Sequence, residues 1–188
     1  RADYRPPFDW ETLLHILHGR ATLLERVEGD TYYRKVKGHE IAVYNVPDKN
    51  HLSIRMPAEL SRYSHAIVRR VRALFDLDAN PLVIEQALGA DPMLGPLIEK
   101  YPGQRVPGCW DSFELTLRVV LGQQVSVAGA STLMRRLCGQ VGMTAKTIAA
   151  SSPETIAAIG LPAARAAAIW NLGHLVQNGT LNLDEPNP

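Results

Sequence analysis

The sequence predicts a small α+β domain followed by an all-α segment. Three observations predict it. Apolar residues recur at helical spacing near the start, alternate with a period of two between residues 24 and 56, and return to helical spacing from about residue 58. Residues 91–108 hold Pro92, Gly95, Pro96, Pro102, Gly103, Pro107 and Gly108, a break that separates two organised regions. After that break the apolar patterns are helical throughout.

The elements follow in order. Asp9 caps a first helix that buries Trp10, Leu13, Leu14 and Leu17 and ends near Gly19. Leu24 to Glu28, Thr31 to Lys37, Glu40 to Val46 and His51 to Met56 read as four short strands, punctuated by Gly29-Asp30, Gly38 and Pro47-Asp48-Lys49-Asn50. Leu52, Ile54 and Met56 alternate with Ser53 and Arg55, giving that strand one buried and one wet face. A helix from Ala58 to Phe75 buries Ile67, Val71, Leu74 and Phe75; Arg69 and Arg72 lie opposite, with Arg70 at the flank, as a solvated face. Residues 1–79 thus form one domain.

Asn80-Pro81 starts a short helix that Gly89 ends, and residues 80–108 form a crossover or linker. Asp111 and Glu114 make a capping box for a helix with Phe113, Leu117, Val120 and Leu121 inside. That helix breaks at Gly122-Gln123-Gln124-Val125-Ser126. The next buries Val127, Ala130, Met134 and Leu137. Ser152-Pro153-Glu154 opens a short helix that Gly160 stops. An Ala-rich helix from Pro162 to Gln177 buries Ala166, Ile169, Leu172 and Val176. Residues 109–188 form the second region, and its tail, Leu181 to Pro188, has no evident packing partner.

Composition narrows the function. The chain is 46% hydrophobic and 21% charged, ordinary for a globular protein. No run of about 18 apolar residues suggests a membrane span. Residues 1–79 carry 13 Lys and Arg against 11 Asp and Glu, and residues 80–188 carry 7 against 8, so a nucleic-acid role must rest on a local motif and not on bulk charge. Cys109 and Cys138 form no Cys-x-x-Cys pair and read as reduced cytosolic thiols. His15 and His18 have metal-compatible spacing but no third ligand beside them, so no metal is expected. No Walker loop, Gly-x-Gly-x-x-Gly or Ser-His-Asp elbow appears. The opening, Arg1 to Trp10, lacks a signal-peptide core and a start methionine, and reads as cut from something longer.

The informative segment is the junction at Gly122-Gln123-Gln124-Val125-Ser126. Two helices meet there with two consecutive amides on a protruding corner. A glutamine at that place offers donor and acceptor to the gap left by a base flipped from a duplex. The bland alternative is a tight turn with solvated amides.

The whole length resembles the DNA-3-methyladenine glycosylase II family, the AlkA type within the helix-hairpin-helix glycosylases. Tyr4-Arg5-Pro6-Pro7-Phe8-Asp9-Trp10, Tyr32-Tyr33-Arg34, Leu74-Phe75-Asp76-Leu77, Asn80-Pro81 and Pro107-Gly108-Cys109 fit its spacing. The stretch from Phe113-Glu114 to Ser126 is the most specific piece. The resemblance implies that residues 1–79 form a sheet-and-helix domain like half of a TATA-binding protein. It implies that residues 109–188 begin the helical glycosylase core, and that residues 80–108 pack with helices found later in the family's chain.

It also implies an activity: hydrolytic, monofunctional removal of alkylated bases, mainly 3-methyladenine, from double-stranded DNA in base-excision repair. The implied setting is a monomer in the bacterial cytosol, with no cofactor and no membrane. Gln124 occupies the wedge position, with Gly122, Gln123, Val125 and Ser126 around it as DNA contacts; Ile16 and Trp110 fall to the base pocket. The family's Leu-Pro-Gly-Ile-Gly hairpin has no counterpart here, since Ile159-Gly160-Leu161-Pro162 has one glycine where two are needed. No residue matches the family's catalytic aspartate, and Asp184 and Glu185 are not assigned that role. The chain alone is therefore expected to be inactive. The alternatives are a non-catalytic DNA- or protein-binding module, or part of a regulatory adaptive-response fusion.

Overall fold

The structure is a computed structural model and describes residues 1–184; Glu185 lies outside the described residues. It divides into two compact units, Arg1–Gly108 and a second from Cys109 onward.

The first unit holds five strands: β1 (Ala2–Asp3), β2 (Glu25–Glu28), β3 (Thr31–Val36), β4 (His39–Val46) and β5 (His51–Arg55). They form one antiparallel sheet in the order β1-β5-β4-β3-β2. Helix α1 (Trp10–Arg20) follows β1, and α2 (Ser64–Leu74) follows β5 after a 3-10 segment, Ala58–Tyr63. The order is thus α+β, as the periodicity predicts. The Asp9 carboxylate accepts from Thr12 N at 3.0 Å, which starts α1. That helix runs through Gly19 and ends at Arg20, because nothing at Gly19 turns the backbone left-handed.

One face of the sheet is inward. Tyr32, Ile41, Val43 and Leu52 are fully buried there, under Leu13 and Leu17 of α1 and Ile67 and Val71 of α2. Phe75 joins the layers: its ring centroid lies 4.9 Å from Trp10 and 5.5 Å, edge-on, from Tyr32. Ile54 is only half-buried, so the alternation of β5 is softer than its sequence reads. Two charged groups share the inward face. Arg34 on β3 pairs across the ladder with Glu25 on β2, and its Nη1 donates to Glu25 Oε2 at 3.2 Å. Tyr32 Oη donates to the same oxygen at 2.6 Å.

Residues 80–108 carry two helices, α3 (Pro81–Leu88) and α4 (Gly95–Lys100); Pro96 sits in the first turn of α4, where its missing N–H costs nothing. The end of this stretch is pinned, not loose. Asp9 N donates to Gly103 O at 2.9 Å, and Gly108 N to Leu74 O at 3.0 Å. Arg105 is 6% exposed, and its Nη2 donates to the carbonyls of Arg5 at 2.6 Å and Pro7 at 3.1 Å. Its Nη1 donates to Ala79 O at 3.3 Å.

The second unit is helical throughout its described residues: α5 (Ser112–Gly122), α6 (Val127–Gln140), α7 (Ala145–Ala149), α8 (Pro153–Ala157) and α9 (Ala163–Gln177). Side chains cap four of these: Asp111, Ser126, Thr144 and Ser152. Phe113, Leu117, Leu121, Met134, Leu137, Ile148, Ile156, Ala166 and Ile169 make its core. Val127, expected inside, is 79% exposed, because the first residue of α6 projects beyond the core that Met134 and Leu137 reach. Leu172 and Val176 are half-buried; the buried position between them is Gly173. The tail returns to the unit: Leu181 N donates to Leu175 O at 2.9 Å, and Ser112 Oγ donates to Asp184 Oδ1 at 2.7 Å.

Gly173 sets how closely α9 crosses α7. A Cβ there would lie 2.6 Å from Ile148 Cγ2 and 3.0 Å from Ala149 N. Alanine in a helix normally gains roughly 0.8–1 kcal/mol over glycine. Here overpacking, at about 1–3 kcal/mol, reverses the sign. Gly173→Ala is expected to lower the melting temperature; a rise would show that α7 yields freely.

A candidate DNA-contact corner

Helix α5 ends at Gly122. Gln123 is extended at φ −63°, ψ 128° and Gln124 turns left-handed at φ 57°. Ser126 then caps α6, its Oγ accepting from Gly129 N at 3.1 Å. The residues from Gln123 to Ser126 are exposed, and Gly122 is half-buried. The corner therefore projects two amide side chains on a backbone set by a cap on one side and a left-handed residue on the other. A non-glycine residue in this region is strained by roughly 1–2 kcal/mol, and such strain clusters at sites where geometry serves function. Sequence reasoning finds the two amides; the backbone conformation carries no sequence signal, since asparagine or glycine is the ordinary choice there.

The two pocket residues fall in different units. Ile16 is half-buried on α1; Trp110 is half-buried just before the Asp111 cap. Beside α1 lies an open cleft of about 490 Å³ lined by Glu11, His15, His18 and Asp30. Among the described residues no three histidine, cysteine or carboxylate side chains are grouped to hold a metal ion. A second cleft, of about 400 Å³, opens at the start of α5 between Phe113, Glu114, Met143, Leu181 and Asp184. Asp184 there accepts from Ser112, a bond that fastens the tail to α5. Gly160 is left-handed at φ 107° and closes the turn after α8, where Arg136 Nη1 donates to Ile159 O at 3.0 Å. The turn stops the helix, with Gly160 N and Leu161 N both donating to Ala157 O. Among the described residues no helix is long and apolar enough to cross a membrane.

This fold is similar to that of solved DNA glycosylases. A 3-methyladenine DNA-glycosylase from Archaeoglobus fulgidus superposes with a TM-score of 0.77 at 20% identity, over 91% of this chain and 65% of that one. The AlkA N-terminal domain family matches residues 1–111. DNA-3-methyladenine glycosylase 2 of Escherichia coli is 32% identical over 98% of this chain, which spans 69% of that relative. A probable bifunctional transcriptional activator/DNA repair enzyme AlkA of Mycobacterium tuberculosis is 36% identical over 76% of this chain, and the match spans 29% of that relative. The chain belongs to the AlkA family of DNA glycosylases.

Proposed function

We propose that this chain is the duplex-engaging part of a base-excision N-glycosylase that hydrolytically removes alkylated bases, 3-methyladenine foremost, from DNA. The observation that carries the reading is the exposed left-handed Gln124 at a capped helix corner, in a chain of this family. Flipping a nucleotide costs a few kcal/mol. Gln124 offsets part of that by entering the vacated space, where its amide bonds the orphaned partner base in place of apolar packing. Gln123, Val125 and Ser126, exposed around it, lie against the duplex, and Gly122 adds no side chain to obstruct the approach.

Breaking the glycosidic bond develops positive charge on the sugar, which a carboxylate beside it stabilises. An alkylated purine is already cationic and leaves readily. No carboxylate of this chain is assigned that role. The exposed apolar side chains of Leu82, Val83, Met93 and Leu97 on residues 80–108 fit the further helices that the family packs there.

The test is release of 3-methyladenine from methylated duplex DNA by the protein expressed from its whole gene, read by chromatography. Release above the spontaneous background supports the reading, and none overturns it. The 188-residue chain alone is expected to release none. A second measurement tests the wedge. Gln124→Gly removes side chain and strain together, so it is expected to raise or preserve the melting temperature while weakening preference for damaged DNA about tenfold, the loss of a contact worth roughly 1.4 kcal/mol. Retained preference would remove the wedge assignment.

A further inference from the structure

Residues 55–73 hold five arginines and one carboxylate, Glu59, in a chain whose net charge is only +1. Two of these arginines serve the domain itself. Arg72 pairs with Asp78, and its Nη1 donates to Asp3 O at 2.9 Å. Arg70 is half-buried and already engaged. The rest face outward. Because α2 buries Ile67, Val71 and Leu74, its opposite side presents His65, Ala66, Arg69 and Ala73, all exposed. Arg62 comes from the 3-10 segment before it, and Lys37 from the β3–β4 turn.

Two of these cations converge. The Lys37 ammonium lies 4.8 Å and the Arg62 guanidinium 4.7 Å from the centroid of the Tyr63 ring. The ring holds both by cation–π attraction, though like charges so placed repel. Among the described residues no carboxylate forms an ion pair with Lys37, Arg62 or Arg69. A surface that orders like charges and supplies no counter-ion is matched by a polyanion. The exposed Ala66, between Arg62 and Arg69 along the chain, keeps the surface between these long cations low. None of these side chains reads base edges, so the contact positions a duplex without specifying sequence.

We propose that the outer face of α2, with Lys37, Arg62 and Arg69, is a contact for the phosphodiester backbone of duplex DNA, additional to the Gly122–Ser126 corner. It rests on the reading of the chain as DNA-engaging, and it adds a second footprint within the first unit.

The experiment measures affinity of the chain for an undamaged, labelled duplex against potassium chloride concentration. Each phosphate neutralised contributes roughly −0.9 to the slope of log affinity on log salt. The Lys37→Ser/Arg62→Ser/Arg69→Ser variant is expected to flatten the slope by about 2–3, with an unchanged melting temperature. Arg69→Ser alone, which alters no ring contact, is expected to flatten it by about 1 and serves if the triple variant unfolds. Arg69→Lys is expected to keep the slope, since a phosphate needs only the charge. An unchanged slope in the serine variants overturns the proposal and leaves the glycosylase reading standing, because base release is measured separately. An unchanged DNA slope with lost binding to phosphatidylserine vesicles overturns it in favour of an anionic membrane surface. Failure of the unaltered chain to bind duplex overturns it outright.

Discussion

Glu25→Leu is expected to destabilise the first unit by about 3–5 kcal/mol, the usual result of removing one partner from a buried ion pair. The Arg34 side chain is 2% exposed and that of Glu25 9%, so water cannot take over the bond. The same change deprives Tyr32 of its acceptor. Removing both charges together, as Glu25→Leu/Arg34→Leu, is expected to recover much of the loss, because two apolar side chains need no desolvated partner. Chemical denaturation of the three proteins checks this; a double variant no more stable than the single one would show that packing, not charge, holds the site. The unaltered protein has a further signature. Burial first, and then the Glu25 charge, push the Tyr32 phenol well above its ordinary value. Folded Tyr32 keeps its proton where the unfolded chain releases it, so this contribution to stability is whole below about pH 10 and is lost as the pH rises beyond. Absorbance titration is expected to show one tyrosine ionising only as the protein unfolds.

Arg105→Met is expected to cost about 3 kcal/mol. Methionine fills much of the volume but leaves the carbonyls of Arg5, Pro7 and Ala79 without their donor. A buried polar group left unsatisfied costs about 1–3 kcal/mol, and water entering beside the thinner side chain recovers part of the total. Limited proteolysis is expected to cut within residues 80–108 in the variant before the unaltered chain is touched. Arg105→Lys is expected to rescue little, since one ammonium cannot reproduce a fork that spans three carbonyls. An unchanged melting temperature would show that these carbonyls are hydrated without Arg105.

What the sequence showed and what it hid divide along one physical line. Features set by local pattern were legible: the period of two across β2 to β5, the caps Asp9, Asp111 and Ser152, and the pair of amides at the α5–α6 corner. Features set by contact at a distance were not. β1 has two residues and no pattern; it exists because Ala2 and Asp3 meet Leu52 and His51. Helix α4 hides behind Gly95-Pro96, which reads as a breaker although proline suits a first turn. Gly173 on α9 carries no local pattern to show that α7 fits against it. Arg105 looks like linker charge until its three acceptors are seen. At the corner, the side chains were readable and the left-handed φ of Gln124 was not.

The pairing of β1 with β5 orders events during synthesis. Ala2 and Asp3 leave the ribosome ahead of the other strands of their sheet, yet their hydrogen-bonding partners are Leu52 and His51. The β2–β5 meander is joined by short turns and closes locally as it emerges, whereas β1 must wait through α1 and the whole meander before it finds an edge. Closing so long a loop is slow relative to a hairpin. The first strand is thus made early and placed late, and until it docks the β5 edge stays open to other strands.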